Sequence, residues 1–242
     1  MQLDDVSCWD KRVRVGTELS SRGVFLGLSC IHVDSNSPAP GYDRAFRKLQ
    51  EEIREVLLRS FRDPSTLKDD DVIKAYRKFF WEHNIDPTKV RPAGEALARR
   101  VVRGSPIASI NPLVDAGNLA SMSTFVPIGI YDVDKISGST LELRYAVGVE
   151  IFHPIGGEPR RLETGTPILQ TDKGLVLHVY PHRDSTLTMV TEATRRALVI
   201  GAGVRGVPKE RVLEAVGLVV EYCRRLGISY SIVTPPRIVG GE

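Results

Sequence analysis

GSPIASINPLVDAGNLASMSTFVPIGIY, residues 104–131, holds a single charged side chain, Asp115, in a chain whose charged fraction is 26%. At that fraction about seven charges would be expected. Ser, Asn, Thr, Gly and Pro interrupt the stretch too often for a membrane span. It therefore reads as buried, and its small polar groups must find partners or a ligand. Asn111 followed by Pro112 is a helix start, a capping side chain with proline at the first helical position. The helix so opened lines up Asn111, Asp115, Asn118 and Met122 on one stripe, at steps of four, three and four. Short side chains of fixed hydrogen-bonding reach suit either a pocket wall or a structural network of caps and turns.

Working outward, the chain before this stretch is mainly helical. Residues 23–33, GVFLGLSCIHV, form a buried strand closed by the loop SNSPAPG. Tyr42, Phe46, Leu49, Ile53, Val56, Leu57 and Ser60 recur at helical spacing among Arg, Lys and Glu, which predicts an amphipathic helix. A second helix over about 69–82 places Asp69, Asp70 and Asp71 at its positive end. Its Tyr76, Phe79, Phe80 and Trp81 suit the core, or else an RNA-stacking platform. A third runs from near Pro92 to Gly104.

After Tyr131 the pattern turns to strands. Segments 140–147, 149–152, 167–170, 175–180 and 186–190 alternate or are β-branched, with Gly, Pro and Asp between them. Short turns such as IGGEP and TDKG predict antiparallel connections. A last helix, 208–226, opens at Pro208 and stops at Gly227, and a strand over 228–233 precedes a Pro-rich tail. Helices first and strands after predict an α+β fold, with no regular βαβ alternation. We expect a single domain over 1–242: an annex at 1–69, a core at 70–205, and a C-terminal helix and strand at 206–242.

Composition narrows the function classes. At 242 residues, 42% hydrophobic and net charge +3, the chain reads as a soluble globular protein long enough for a real core. The weak positive charge permits RNA as a partner without arguing for it. Arginine pairs at 99/100, 160/161, 195/196 and 224/225 fit solvated faces. Cys8, Cys30 and Cys223 lack metal-type spacing and read as reduced cysteines. The charged start MQLDDVSCWDKRVRV is unlike a signal peptide, so the expected compartment is the cytoplasm and no membrane partner is expected.

Several motifs suggest chemistry that their context does not support. Residues 201–206, GAGVRG, match G-x-G-x-x-G, but Val207 and Pro208 delay the helix past the point where its N-terminus would meet a pyrophosphate. A glycine-rich turn is the better reading. His178 and His182 sit in a strand with a proline between them, which removes helical zinc geometry, although both can share a face with Asp184. No metal and no other cofactor is expected. There is no G-x-S-x-G elbow. In 183–194, RDSTLTMVTEAT, Arg183 and Asp184 can pair, and Ser185, Thr186, Thr188, Thr191 and Thr194 supply a dense set of hydroxyls. That run is either an exposed strand or a polar wall facing the stripe of 111–118.

The succession EALARRVVRG, SINPLVDAGNL, PIGIYDVDKI (127–136), G-x-T-L-E-L-R-Y-A-V-G-V-E-I-F and RDSTLTMVTEAT resembles the editing and tRNA-binding domain of the phenylalanyl-tRNA synthetase beta subunit, and more closely the free-standing proteins built from that domain alone. The resemblance covers roughly residues 70–205. It implies a three-layer α+β fold with an unusual, mostly antiparallel β-sandwich flanked by helices, and a pocket between layers. It also implies hydrolysis of the ester in a mischarged aminoacyl-tRNA, or non-catalytic binding of a tRNA end or amino-acid-like ligand. The expected partner is the aminoacylated 3′ end of tRNA, not DNA. By position the family's pocket asparagine falls on Asn118, its proline on Pro127, and its acidic residue approximately on Asp184; its histidine is replaced by Gly129. In this reading Asn118, Asp184 and Ser185 are the catalytic candidates. Asn111, Asp115, Pro127, Gly129, Arg183, Thr188 and His182 are the candidates for holding substrate.

Overall fold

The computed structural model describes residues 6–61 and 63–241; residues 1–5, the start of the charged N-terminus, lie outside it. The chain forms β1 (Val6–Cys8), β2 (Lys11–Val15), α1 (Thr17–Ser21), β3 (Phe25–Val33), α2 (Tyr42–Ser60), α3 (Asp71–Glu82), α4 (Ala93–Val102) and α5 (Pro112–Thr124). There follow β4 (Ile128–Asp132), β5 (Thr140–Tyr145), β6 (Ile151–Phe152), β7 (Arg160–Arg161), β8 (Pro167–Thr171), β9 (Val176–Val179), β10 (Arg183–Asp184), β11 (Arg196–Gly203), α6 (Lys209–Arg225) and β12 (Tyr230–Gly240). This is the expected α+β class.

Local chemistry sets the helix ends. The Asp70 carboxylate accepts from the Val72 and Ile73 N–H groups at the start of α3, and Asn111 accepts from Val114 at the start of α5. Tyr76, Phe79 and Phe80 turn into the core, whereas Trp81 is exposed, so the α3 aromatics are mainly packing residues.

Two sheets carry the fold. One has the order β1-β2-β5-β8-β9-β10, the other β12-β3-β11-β4, and β6 and β7 form a separate pair. Their ladders are antiparallel apart from the parallel pairing of β2 with β5. The sheets meet through Tyr180, whose hydroxyl donates to the Phe25 and Gly203 carbonyls. Helix α6 covers the other face of the four-stranded sheet, where Gly201 and its cross-strand partner Gly27 make room for it. A Cβ at Gly27 would lie 2.7 Å from a Val212 methyl, and one at Gly201 2.9 Å from a Val216 methyl. The first glycines of GAGVRG thus belong to β11 as packing positions, and only Gly206, at φ +96°, serves a turn.

The structure corrects three expectations. Cys8 and Cys30 are joined in a disulfide, not reduced, because β1 is brought against β3 with a Cα–Cα distance of 5.7 Å; Cys223 is free and buried. With two of its three cysteines bonded, the chain carries no cysteine mark of a reducing compartment. Residues 186–188 form a 3₁₀ turn where a strand was expected, since the Ser185 hydroxyl accepts from the Leu187 N–H. The Pro-rich tail continues β12, and register shifts between Ile232 and Thr234 and between Thr234 and Arg237 accommodate Pro235 and Pro236 on this edge strand. Among the described residues no helix is long and apolar enough to cross a membrane.

Candidate functional site

The polar stripe of α5 resolves into two parts. Asn111 is the helix cap, and its Oδ1 also accepts from the Asn36 side chain at 3.0 Å. Asp115, fully buried, accepts from the Tyr42 hydroxyl at 2.7 Å, the Ile110 N–H at 2.9 Å and the Ser109 hydroxyl. Burial, then hydrogen bonding to Asp115, pushes the Tyr42 phenol well above its ordinary range, so it stays a donor. Asn111 and Asp115 therefore serve the structural network. Asn118 differs: it is half-buried, and among the described residues its amide has no hydrogen bond.

Strand β4 separates α5 from the second wall. Its side chains alternate. Gly117 of α5 faces Ile128 and Ile130, while Tyr131 points the other way, to the hairpin of β9 and β10. There the Tyr131 hydroxyl donates to Asp184 Oδ1 at 2.7 Å, and His178 Nδ1 donates to the same oxygen at 2.7 Å. His178 and Asp184 are cross-strand partners, which is what brings them together. A carboxylate on Nδ1 fixes the proton there, leaving the Nε2 lone pair of the neutral ring for other work. The Asp184 side chain is 33% exposed and that of His178 11%, so solvent reaches this pair mainly at Asp184. Tyr131 is buried, and burial with the Asp184 charge beside it raises its phenol well above the ordinary value, keeping it protonated.

Gly129 lies two residues before Tyr131 on the same face of β4. A Cβ there would sit 2.2 Å from the Tyr131 hydroxyl oxygen. The place of a larger side chain at 129 is thus taken by the phenol. Pro127 is buried beside it, and its carbonyl accepts from the Ala202 N–H at 2.9 Å.

The other candidates from 182–188 are spread around the hairpin. Ser185 is buried and its hydroxyl caps the following turn; Arg183 is exposed and donates to the Ile155 carbonyl at 3.1 Å. Among the described residues the Thr188 hydroxyl is buried without a partner. His182 faces away, into a cavity of about 1170 Å³ on the other side of the hairpin, between the end of α3 and β7. Burial, then the charges of His178, Arg183 and Arg160, lower its imidazole to about 4, so it is neutral at pH 7. The structure thus groups Gly129, Asp184, His178 and Tyr131, and keeps Asn111 and Asp115 on the far side of β4. His178 and Tyr131 were not among the sequence candidates. The signal for His178 was its possible shared face with Asp184; nothing local marked Tyr131. Among the described residues no cluster of three or more His, Cys, Asp or Glu is arranged to hold a metal.

Comparison with known proteins gives a match to the family model "B3/4 domain" over residues 75–225, which agrees with the resemblance read from the motifs. Among solved structures, an N-terminal fragment of the phenylalanyl-tRNA synthetase beta subunit from Pyrococcus horikoshii is similar, at 17% identity and a TM-score of 0.49. The similarity covers 93% of this chain and 51% of that one, so the chain spans about half the length of the fragment. No curated protein matches.

Proposed function

Because the family match takes in residues 75–225 of 242, the chain belongs to the B3/4 domain family, and from this premise we propose that it hydrolyses the ester linking an amino acid to the 3′ end of a mischarged tRNA. The observation that carries the reading is the Asp184–His178 hydrogen bond of 2.7 Å at a solvent-reachable edge, braced by the Tyr131 hydroxyl. An imidazole held by a carboxylate on Nδ1 is suited to take a proton at Nε2. In this mechanism His178 Nε2 removes a proton from water as the water oxygen bonds to the ester carbonyl carbon. The tetrahedral oxyanion then collapses, the bond to the ribose oxygen breaks, and the imidazolium returns the proton to that oxygen. Asp184 holds the ring and stabilises its charged form. The exposed side chains of Leu187 and Met189 lie just beyond Asp184 in the chain, and Met189 bridges to Tyr131, so an apolar aminoacyl group has a surface to rest on.

The test is deacylation of a panel of mischarged and correctly charged tRNAs by the purified protein. At least one is expected to be hydrolysed above background, with His178→Ala and Asp184→Asn slowing the reaction by about a hundredfold or more. No hydrolysis of any member would end the reading. A second reading, binding of a tRNA end without chemistry, draws on the Tyr131 phenol filling the space beside Gly129. Saturable tRNA binding with no turnover would favour it.

A further inference from the structure

The cavity behind the hairpin is separate from the His178–Asp184 pair and has a character of its own. Four features of its wall point to one ligand chemistry. Tyr145 and His83 stand with ring centroids 5.8 Å apart and planes at 29°. His83 Nδ1 donates to the Phe79 carbonyl at 2.8 Å, so its Nε2 accepts from the Tyr145 hydroxyl at 3.2 Å. The ring edges are thereby tied down, and the half-buried Tyr145 is held as a fixed surface on the cavity wall. The Arg22 guanidinium stands 5.5 Å from the Tyr145 ring centre and is itself paired with Glu18. Next, β7 places Arg160 and Arg161 on the rim; both are exposed, and among the described residues neither guanidinium has an ion pair or hydrogen bond. Finally, His182 lines the cavity wall, and among the described residues neither of its ring nitrogens has a hydrogen bond. Nδ1 is enclosed, so Nε2 is the nitrogen that a ligand in the cavity would bond.

A planar surface for stacking, two uncommitted guanidiniums and one unmet hydrogen-bonding nitrogen correspond to the base, phosphate and polar edge of a nucleotide. The volume is ample for one, since small-molecule sites run to about 300–1,000 Å³. We propose that this cavity binds a nucleotide, free or as the terminal unit of a single RNA strand, with the base against Tyr145, the phosphate between Arg160 and Arg161, and a donor of the ligand on His182. Neighbouring Lys89 is paired with Asp86, so the two arginines of β7 are the cations available to the phosphate. Glu163 on the same rim can accept from ribose hydroxyls.

The test uses the full chain with two probes, AMP followed by calorimetry and a short end-labelled single RNA strand followed by fluorescence anisotropy. At least one is expected to bind saturably, with affinity falling about tenfold or more in the double variant Arg160→Ala/Arg161→Ala and in Tyr145→Leu. Binding of AMP, and its competition with the RNA, would show that a free nucleotide suffices. Binding of RNA alone would assign the cavity to a strand terminus. Both arginines are exposed, so their replacement leaves the core intact and decides the matter even if Tyr145→Leu fails to fold. Binding of neither probe by the wild type, or equal binding by the wild type and the arginine variant, would overturn the proposal. Neither probe carries an aminoacyl ester, so failure here is distinct from failure of the deacylation assay.

Discussion

Gly129 and Tyr131 form a coupled pair. The phenol stands where a side chain at 129 would begin, and its hydroxyl holds Asp184, which holds His178. Adding a methyl group at 129 must push on the Tyr131 ring, whose hydroxyl and nearest ring carbon would lie 2.2 and 2.8 Å from the new Cβ. Gly129→Ala is therefore expected to lower unfolding free energy by about 1–3 kcal/mol. In a Tyr131→Phe background the cost should shrink, with a coupling of about 0.5 kcal/mol or more in a double-mutant cycle followed by urea denaturation. Strictly additive costs would show that the hydroxyl does not occupy that space. The sequence exposed Gly129 as the position where the family pattern departs. It did not expose the compensation, because Tyr131 and Asp184 are 53 residues apart and meet only through sheet packing.

Among the elements, the turn between β5 and β6 is built around one carboxylate. Glu150 accepts from the N–H groups of Val147, Gly148 and Val149 at 3.0–3.1 Å and from Arg144 at 2.8 Å. Burial alone would raise its pKa, but the backbone donors and Arg144 outweigh burial and hold the carboxyl down to about 2, from an ordinary 4.5. A carboxyl so depressed contributes stability that is complete above its unfolded value and is lost as pH falls toward the folded one. The urea midpoint of the wild type should therefore exceed that of Glu150→Gln most above about pH 5, the gap closing as pH drops to about 2. A gap independent of pH would mean that charge is not what the turn uses. Other elements were plain in the chain. The spacing from Tyr42 to Ser60 gave α2, and Asn111 with Pro112 gave the start of α5, because caps and periodicity act within a turn or two of backbone. Strands β1 and β2 were missed: β1 is only three residues, VSC, and the charged KRVRV of β2 shows β-structure only once β5 is alongside.

The whole molecule depends on two sheets staying in contact, and the Cys8–Cys30 disulfide joins the edge strand of one to an inner strand of the other across 22 residues. Closing a loop of that length restricts the unfolded chain, so Cys8→Ser is expected to lower stability by about 3 kcal/mol under oxidising conditions. Reductant should remove most of the difference; an equal midpoint for both proteins without reductant would refute the linkage. By itself the sequence determined the α+β class, the main helices and their caps, the family, and the importance of the stretch from 104 to 131, since each of these rests on local pattern. Tertiary structure alone decided that Asn111 and Asp115 support the fold, that GAGVRG holds a strand against α6, that His178 and Tyr131 join Asp184, and that a cavity opens behind the hairpin. Each of those depends on which face of a strand meets which neighbour, and that is fixed by contacts between residues far apart in the chain.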